Sequence, residues 1–173
     1  LLGIGGRQMF KAETPGPMKD SKMTPRIAET AKGLWGVYAG ITVCCALSFR
    51  WAGMTWLDAI MHTFSTMGLG GFSSHDASFG YFNSVAIECV TIVFMLIAGM
   101  NFATHFLAVT GRSLRPYRSD PEASWFLAVT LGSVLAIAVF LVWHGIYLDF
   151  WVALRHSAFN VISIATTTGF ATV

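Results

Sequence analysis

Apolar runs alternate with short polar connectors along this chain, and the runs come in two lengths. A transmembrane helix needs about 20 mostly apolar residues. Three runs reach that length: residues 33–53, where Arg50 is the only charge; residues 81–111, where Glu88 is the only carboxylate; and residues 123–148, which carry no formal charge and one histidine, His144. The second run is long enough to tilt or to extend beyond the lipid. Two further segments, 54–80 and 149–173, are apolar but short. In the first of them Leu57, Ile60, Met61 and Phe64 follow the i, i+3, i+4, i+7 pattern of one helical face. A helix over 55–67 rises only about 20 Å at 1.5 Å per residue, against a hydrocarbon core about 30 Å thick. The pattern therefore predicts two short helices, 55–67 and 150–165, that enter a membrane and turn back.

Composition agrees. The chain of 173 residues is 54% hydrophobic and only 12% charged, about half the charge of an ordinary soluble domain. That is too little to coat a small globule, and a net charge of +2 gives no reason to expect a nucleic-acid partner. Cys44, Cys45 and Cys89 lie in apolar runs without metal-ligand spacing, and read as small buried hydrophobes. No signal peptide is visible.

Charge placement sets an orientation. Arg7, Lys11, Lys19, Lys22, Arg26 and Lys32 precede the first long run, and Arg112, Arg115 and Arg118 lie between the second and third, while 54–80 has no Lys or Arg. By the positive-inside rule the basic segments are cytoplasmic and the short helices dip in from outside. Arg50 and Arg155 then lie on the outer side, where both can snorkel. Residues 11–32 read as a cytoplasmic linker with a short helix starting near Thr24, where Pro25 takes the first helical position. Residues 112–122 read as a second cytoplasmic loop, with Pro116 and Pro121 as breakers.

The order of span, short helix, glycine-containing turn occurs twice. Laying Phe72 over Phe170 aligns the turns without a gap, so that Ser65, Gly71 and Phe72 fall on Ser163, Gly169 and Phe170. Both repeats start from the inside, so they are parallel and related by an axis along the membrane normal, the natural place for a pore. Residues 1–10 read as the end of a preceding repeat, 33–111 as a complete one (filter 68–72), and 123–173 as the next, stopping after its filter at 166–170. On this reading the sequence is an internal piece of a longer protein.

Non-helical backbone at membrane depth is tolerated where it packs in protein or lines water. Extended turns there can aim carbonyl oxygens into a lumen and replace a cation's hydration shell. Gly70, Gly71 and Gly169 open φ angles closed to other residues, and the short helices point their partially negative C-termini at the same spot. Neither turn holds a carboxylate, which suits a monovalent cation, potassium above all. The alternatives are re-entrant loops that merely pack, a secondary transporter whose turns bind substrate, which would call for inverted repeats, an intramembrane hydrolase using His62 or His75, which lacks a nucleophile constellation, and a non-conducting scaffold.

The stretches HTFSTMGLGGFSSHDAS (from His62), SIATTTGF (from Ser163), KMTPRIAETAK (from Lys22) and FMLIAGMNFATH (from Phe94) resemble the Trk-type potassium uptake family, the TrkH branch of the TrkH/KtrB/HKT superfamily. The resemblance covers nearly the whole chain. It implies an all-α membrane protein in which four linked repeats of helix, pore helix, filter and helix surround one pore. It also implies potassium uptake across the cytoplasmic membrane with no enzyme chemistry and no cofactor beyond the transported K+. Its filter carbonyls carry over to Leu69 and Gly70 ahead of Gly71, and to Thr167 and Thr168 ahead of Gly169, with Gly68 and Thr166 at the inner edge. The second-repeat filter departs from the threonine-rich form, so coordination there would be by backbone alone. As partners the resemblance implies membrane lipid, the remaining repeats, a second copy of the chain and a cytosolic nucleotide-binding subunit. The family's gate, in an intramembrane loop after the third filter and an arginine of the fourth repeat, lies beyond these residues.

Other polar residues read as structural. Glu88 could draw cations toward the pore or hydrogen-bond to a neighbouring pore helix; the second, structural role is favoured, since a carboxylate in lipid needs a cavity or a partner. His62, His75 and Asp76 are too far apart across the turn for shared metal ligation; Asp76 caps the following turn or adds negative potential at the mouth. Asn101 and His105 could bond across helices. Trp35, Trp51, Trp56, Trp125, Trp143 and Trp151 fall mostly near span ends, as interfacial belts do.

Overall fold

The computed structural model describes residues 27–172, and every regular element among them is helical. In chain order these are α1 (Ile27–Trp51), α2 (Trp56–Met67), a 3-10 turn (Ser78–Tyr81), α3 (Val85–Gly99), α4 (Phe102–Thr110), α5 (Arg115–Ser119), α6 (Pro121–Trp143) and α7 (Phe150–Ala165). Residues 1–10, most of the 11–32 linker and the helix start near Thr24 lie outside the described residues. α1 and α6 are long and apolar enough to cross a membrane; α3 and α4 meet the same test only together. The chain divides into two compact units. One combines the described residues up to Gly40 with Met100–Trp125; the other combines Ile41–Gly99 with the described residues from Phe126 onward.

The helices differ in extent from the expected boundaries. α1 runs unbroken from Ile27 rather than starting as a span at residue 33, because Ala, Glu and Lys are good helix formers and no breaker intervenes. Inside it Gly33 leaves space for the Phe106 ring, which an added Cβ would strike. The expected span 81–111 is interrupted at Met100 and Asn101. Asn101 is extended and its side chain accepts the Ala103 N–H, a local cap that competes with helix continuation. Pro116 and Pro121 each sit in the first turn of a helix, α5 and α6, where a missing N–H is no loss, and Asp120, extended just ahead of Pro121, separates the two.

Helix ends share one device. In the Schellman motif a left-handed residue follows the helix, and it and its successor donate back to the last turn. α1 closes this way through Gly53 (φ 112), with Gly53 N–H to Arg50 O and Met54 N–H to Phe49 O. α6 closes through Gly145 (φ 68), with the matching bonds to Val142 and Leu141. α6 therefore stops at Trp143 and not at residue 148.

The unit that holds α2 and α7 centres on Phe79, fully buried. Its ring lies 4.5 Å from Phe170, 5.1 Å from His62, 5.4 Å from Phe159 and 6.2 Å from Phe49. Around it α2 is inside out. His62, Thr63 and Thr66 are buried, while Leu57, Ile60, Met61 and Phe64 are all exposed. A water-facing helix shows the reverse. The predicted stripe is real, and it turns away from the core. All six tryptophans are likewise outward: Trp35, Trp51, Trp56, Trp125, Trp143 and Trp151 are each more than half exposed.

Candidate functional site: two matched bends

The two short helices form where the sequence places them. Thr55 caps α2 by accepting the Asp58 N–H, and Asp149 caps α7 by accepting the Trp151 N–H. Both helices then end in the same way. Gly68 N–H donates to Phe64 O, Leu69 N–H to Thr66 O and Gly70 N–H to Ser65 O. In the register set by Phe72 and Phe170, the second bend repeats all three: Thr166 N–H to Ile162 O, Thr167 N–H to Ile164 O and Thr168 N–H to Ser163 O.

Backbone handedness repeats too. Leu69 (φ 50) and Gly71 (φ 69) match Thr167 (φ 61) and Gly169 (φ 87). Left-handed residues thus alternate with ordinary ones through each bend. Such alternation turns successive peptide groups toward one side, whereas a uniform strand alternates them. Leucine and β-branched threonine resist positive φ, so Leu69 and Thr167 are strained where α1 and α6 use glycine. Strain of this kind persists only where the surroundings hold it. In the second bend the holding bonds are Ser163 Oγ donating to Phe170 O at 2.7 Å, and the Thr166 and Thr168 hydroxyls 2.7 Å apart.

The bends touch. A Cβ on Gly71 would collide with the Thr168 carbonyl, while one on Gly169 would meet open space. The side chains are less symmetric than the backbone: Phe170 is buried beside Phe79, whereas Phe72 is 82% exposed. All eight residues expected at the filter, Gly68, Leu69, Gly70, Gly71, Thr166, Thr167, Thr168 and Gly169, lie in these two bends.

Beyond the first bend a polar cluster closes over α2. Asp58 accepts from Thr55 Oγ1 (2.7 Å) and Ser74 Oγ (2.8 Å) and lies 3.1 Å from His75 Nε2. Burial pushes the Asp58 carboxyl up, but these bonds and the neighbouring His75 outweigh it and hold it below the usual carboxylate range. His62 contacts Ser73 Oγ at 2.9 Å, and its ring is 6.4 Å from that of His75. Folding thus brings together two histidines that the sequence separates, yet no group of three His, Cys, Asp or Glu among the described residues could hold a metal. Asp58 is the carboxylate of this cluster, and Ser73 Oγ accepts the His75 N–H.

Glu88 bonds to a short helix, as expected, and its partner is Arg155 of α7. Arg155 therefore does not snorkel; Arg50 lies over the Trp56 ring. Periodicity could not show this pairing, because the two residues lie in separate helices far apart in the chain. Cys45 is buried, but Cys44 and Cys89 are exposed on apolar helices, and all three are free. In the other unit Asn101 caps its own helix, and His105 Nδ1 lies 2.7 Å from Tyr117 Oη.

The chain matches the family model described as TrkH, a cation transport protein, over residues 1–173. It is 50% identical over 172 residues to the Trk system potassium uptake protein TrkH of Salmonella typhimurium, covering 99% of this chain and 36% of that protein. It is 42% identical to the Trk system potassium uptake protein TrkG of Escherichia coli, covering 99% of this chain and 35% of that protein. The crystal structure of the potassium transporter TrkH from Vibrio parahaemolyticus superimposes with a TM-score of 0.82 at 46% identity, covering 87% of this chain and 33% of that one. The chain thus spans about a third of the length of the curated relatives it matches. An all-helical membrane fold and a match over its full length place this chain in the TrkH family of cation transport proteins.

Proposed function

We propose that this chain supplies one complete repeat, 33–111, and most of the next, 123–173, to the conduction path of a potassium uptake protein. The observation that carries the reading is the pair of contacting bends whose hydrogen bonds and φ signs repeat in one register. Carbonyls of Leu69, Gly70, Thr167 and Thr168 line the path, with Gly68 and Thr166 at its inner edge and Gly71 and Gly169 allowing the turns. Uncharged oxygens of this kind replace the water around a monovalent cation. Related proteins named potassium uptake proteins support potassium as the ion. Transport of this kind needs no covalent chemistry and no cofactor.

The exposed apolar stripe of α2 and the outward tryptophans suit a surface covered by lipid or by further repeats. Basic residues before α1 and between α4 and α6 support a cytoplasmic setting for those segments in a protein of the cytoplasmic membrane. A second copy of the chain and a cytosolic nucleotide-binding subunit complete the proposed assembly. Rubidium uptake by the complete protein, with sodium as competitor, tests the reading. Saturable uptake that sodium barely inhibits is expected; equal inhibition by sodium and potassium sinks it.

A further inference from the structure

The carboxylate of Glu88, 3% exposed, receives two parallel bonds from one guanidinium. Arg155 Nε donates to Oε2 and Nη2 to Oε1, each at 2.6 Å. The pair joins α3 to α7. A second contact joins the same helices at their other ends, where a Cβ on Gly99 would come 2.9 Å from Thr166 Cγ2. Glu88 to Gly99 and Arg155 to Thr166 are both steps of eleven residues, about 16 Å of helix. α3 therefore runs beside α7 in the same direction and meets it at both ends.

Thr166 is where α7 stops and the second bend starts, and its hydroxyl is bonded to that of Thr168. Sliding or tilting α7 against α3 would move that bend directly. Among the described residues no arginine–carboxylate pair braces the helix of the first bend in the same way. In the Phe72 to Phe170 register the counterpart of Arg155 is Leu57, which is 69% exposed.

We propose that Glu88 and Arg155 form a positioning clamp that sets the placement of the second bend, and through it the preference for potassium over sodium. Neither residue touches the ion. The proposal rests on the transport reading above. A lone buried charge is unfavourable, and an arginine fork fixes a carboxylate in both distance and direction. A lysine fixes distance only.

The test uses the complete protein in cells lacking other potassium uptake, with rubidium as the probe, sodium as competitor and uptake normalised to protein in the membrane. Glu88→Gln should lower the rubidium preference about tenfold, the scale expected of a sub-ångström to ångström displacement, through a raised rubidium KM with the maximal rate largely kept. Arg155→Lys should fall between the two, and the exchange Glu88→Arg with Arg155→Glu should recover part of the loss. An unchanged preference in Glu88→Gln, or a lower maximal rate at unchanged preference, overturns the clamp. Should Glu88→Gln fail to accumulate, Arg155→Lys decides alone, and wild-type preference in it is the overturning result. If the unaltered protein shows no rubidium preference, the transport reading falls and the clamp with it; a preference lost in Gly71→Ser but kept in Glu88→Gln removes the clamp only.

Discussion

Gly71 packs directly on the carbonyl of Thr168, with no room for a methyl group between the two bends. Its partner in the repeat, Gly169, has the same handedness and open space around it. The two glycines should therefore fail differently. Gly169→Ala meets only the cost of a positive φ, about 1–2 kcal/mol. Gly71→Ala meets that cost and must also push the second bend away. The expected outcome is a greater loss of rubidium-over-sodium preference in Gly71→Ala, and likewise in Gly71→Ser against Gly169→Ser. Unchanged flux ratios in all four variants would remove the filter assignment.

Ser65 and Ser163 occupy one position of the repeat and have different partners. Ser163 Oγ donates to Phe170 O, whereas Ser65 Oγ is buried without a hydrogen-bond partner. Ser163→Ala leaves a buried carbonyl unpaired and should cost about 1–3 kcal/mol. Ser65→Ala should be neutral to within about 0.5 kcal/mol. Thermal unfolding of the two purified variants in detergent checks this; equal destabilisation contradicts it.

Asp58 links α2 to the segment that carries Ser74 and His75. Its carboxyl is held below the ordinary carboxylate pKa, so the folded state favours the ionised form. The resulting stability is complete above the unfolded value of about 3.9 and is lost as pH falls through the lowered folded value. Hydrogen exchange around Ser73 to His75 should accelerate in that acid window, and Asp58→Asn should abolish the acid-dependent step. Identical pH profiles for the variant and the unaltered protein would count against it.

Asp120 ties down the start of α6 in the other unit. It is 1% exposed, accepts the Glu122 N–H at 3.0 Å and accepts from Thr104 Oγ1 at 2.7 Å. Asp120→Ala removes a helix cap and leaves Thr104 without that acceptor, for a loss of about 1–2 kcal/mol. Asp120→Asn keeps an oxygen for the cap and should lose less. The order of the two in a denaturation series is the measurement.

The short helices were legible because their ends are written locally. Thr55 and Asp149 are capping residues, and the turns after Met67 and Ala165 share a pattern in one register. Boundaries set by competition between local and continued bonding were not legible. At Asn101 a side-chain cap interrupts an apolar run that hydropathy alone carries through. Pro121 was legible in part: it separates α5 from α6, as a breaker does, and it also opens the second of them.

By itself the sequence determined that this is a helical membrane protein, that two of its helices are too short to cross, and that their turns share one register. Those properties follow from runs, spacings and capping residues within a few positions of one another, and local bonding enforces them. Only the tertiary structure decided that Phe79 gathers His62, Phe159 and Phe170, that Gly71 meets Thr168, and that Arg155 finds Glu88. Each of these joins helices distant in the chain, and helical periodicity says which way a side chain faces along its own axis without saying what stands opposite.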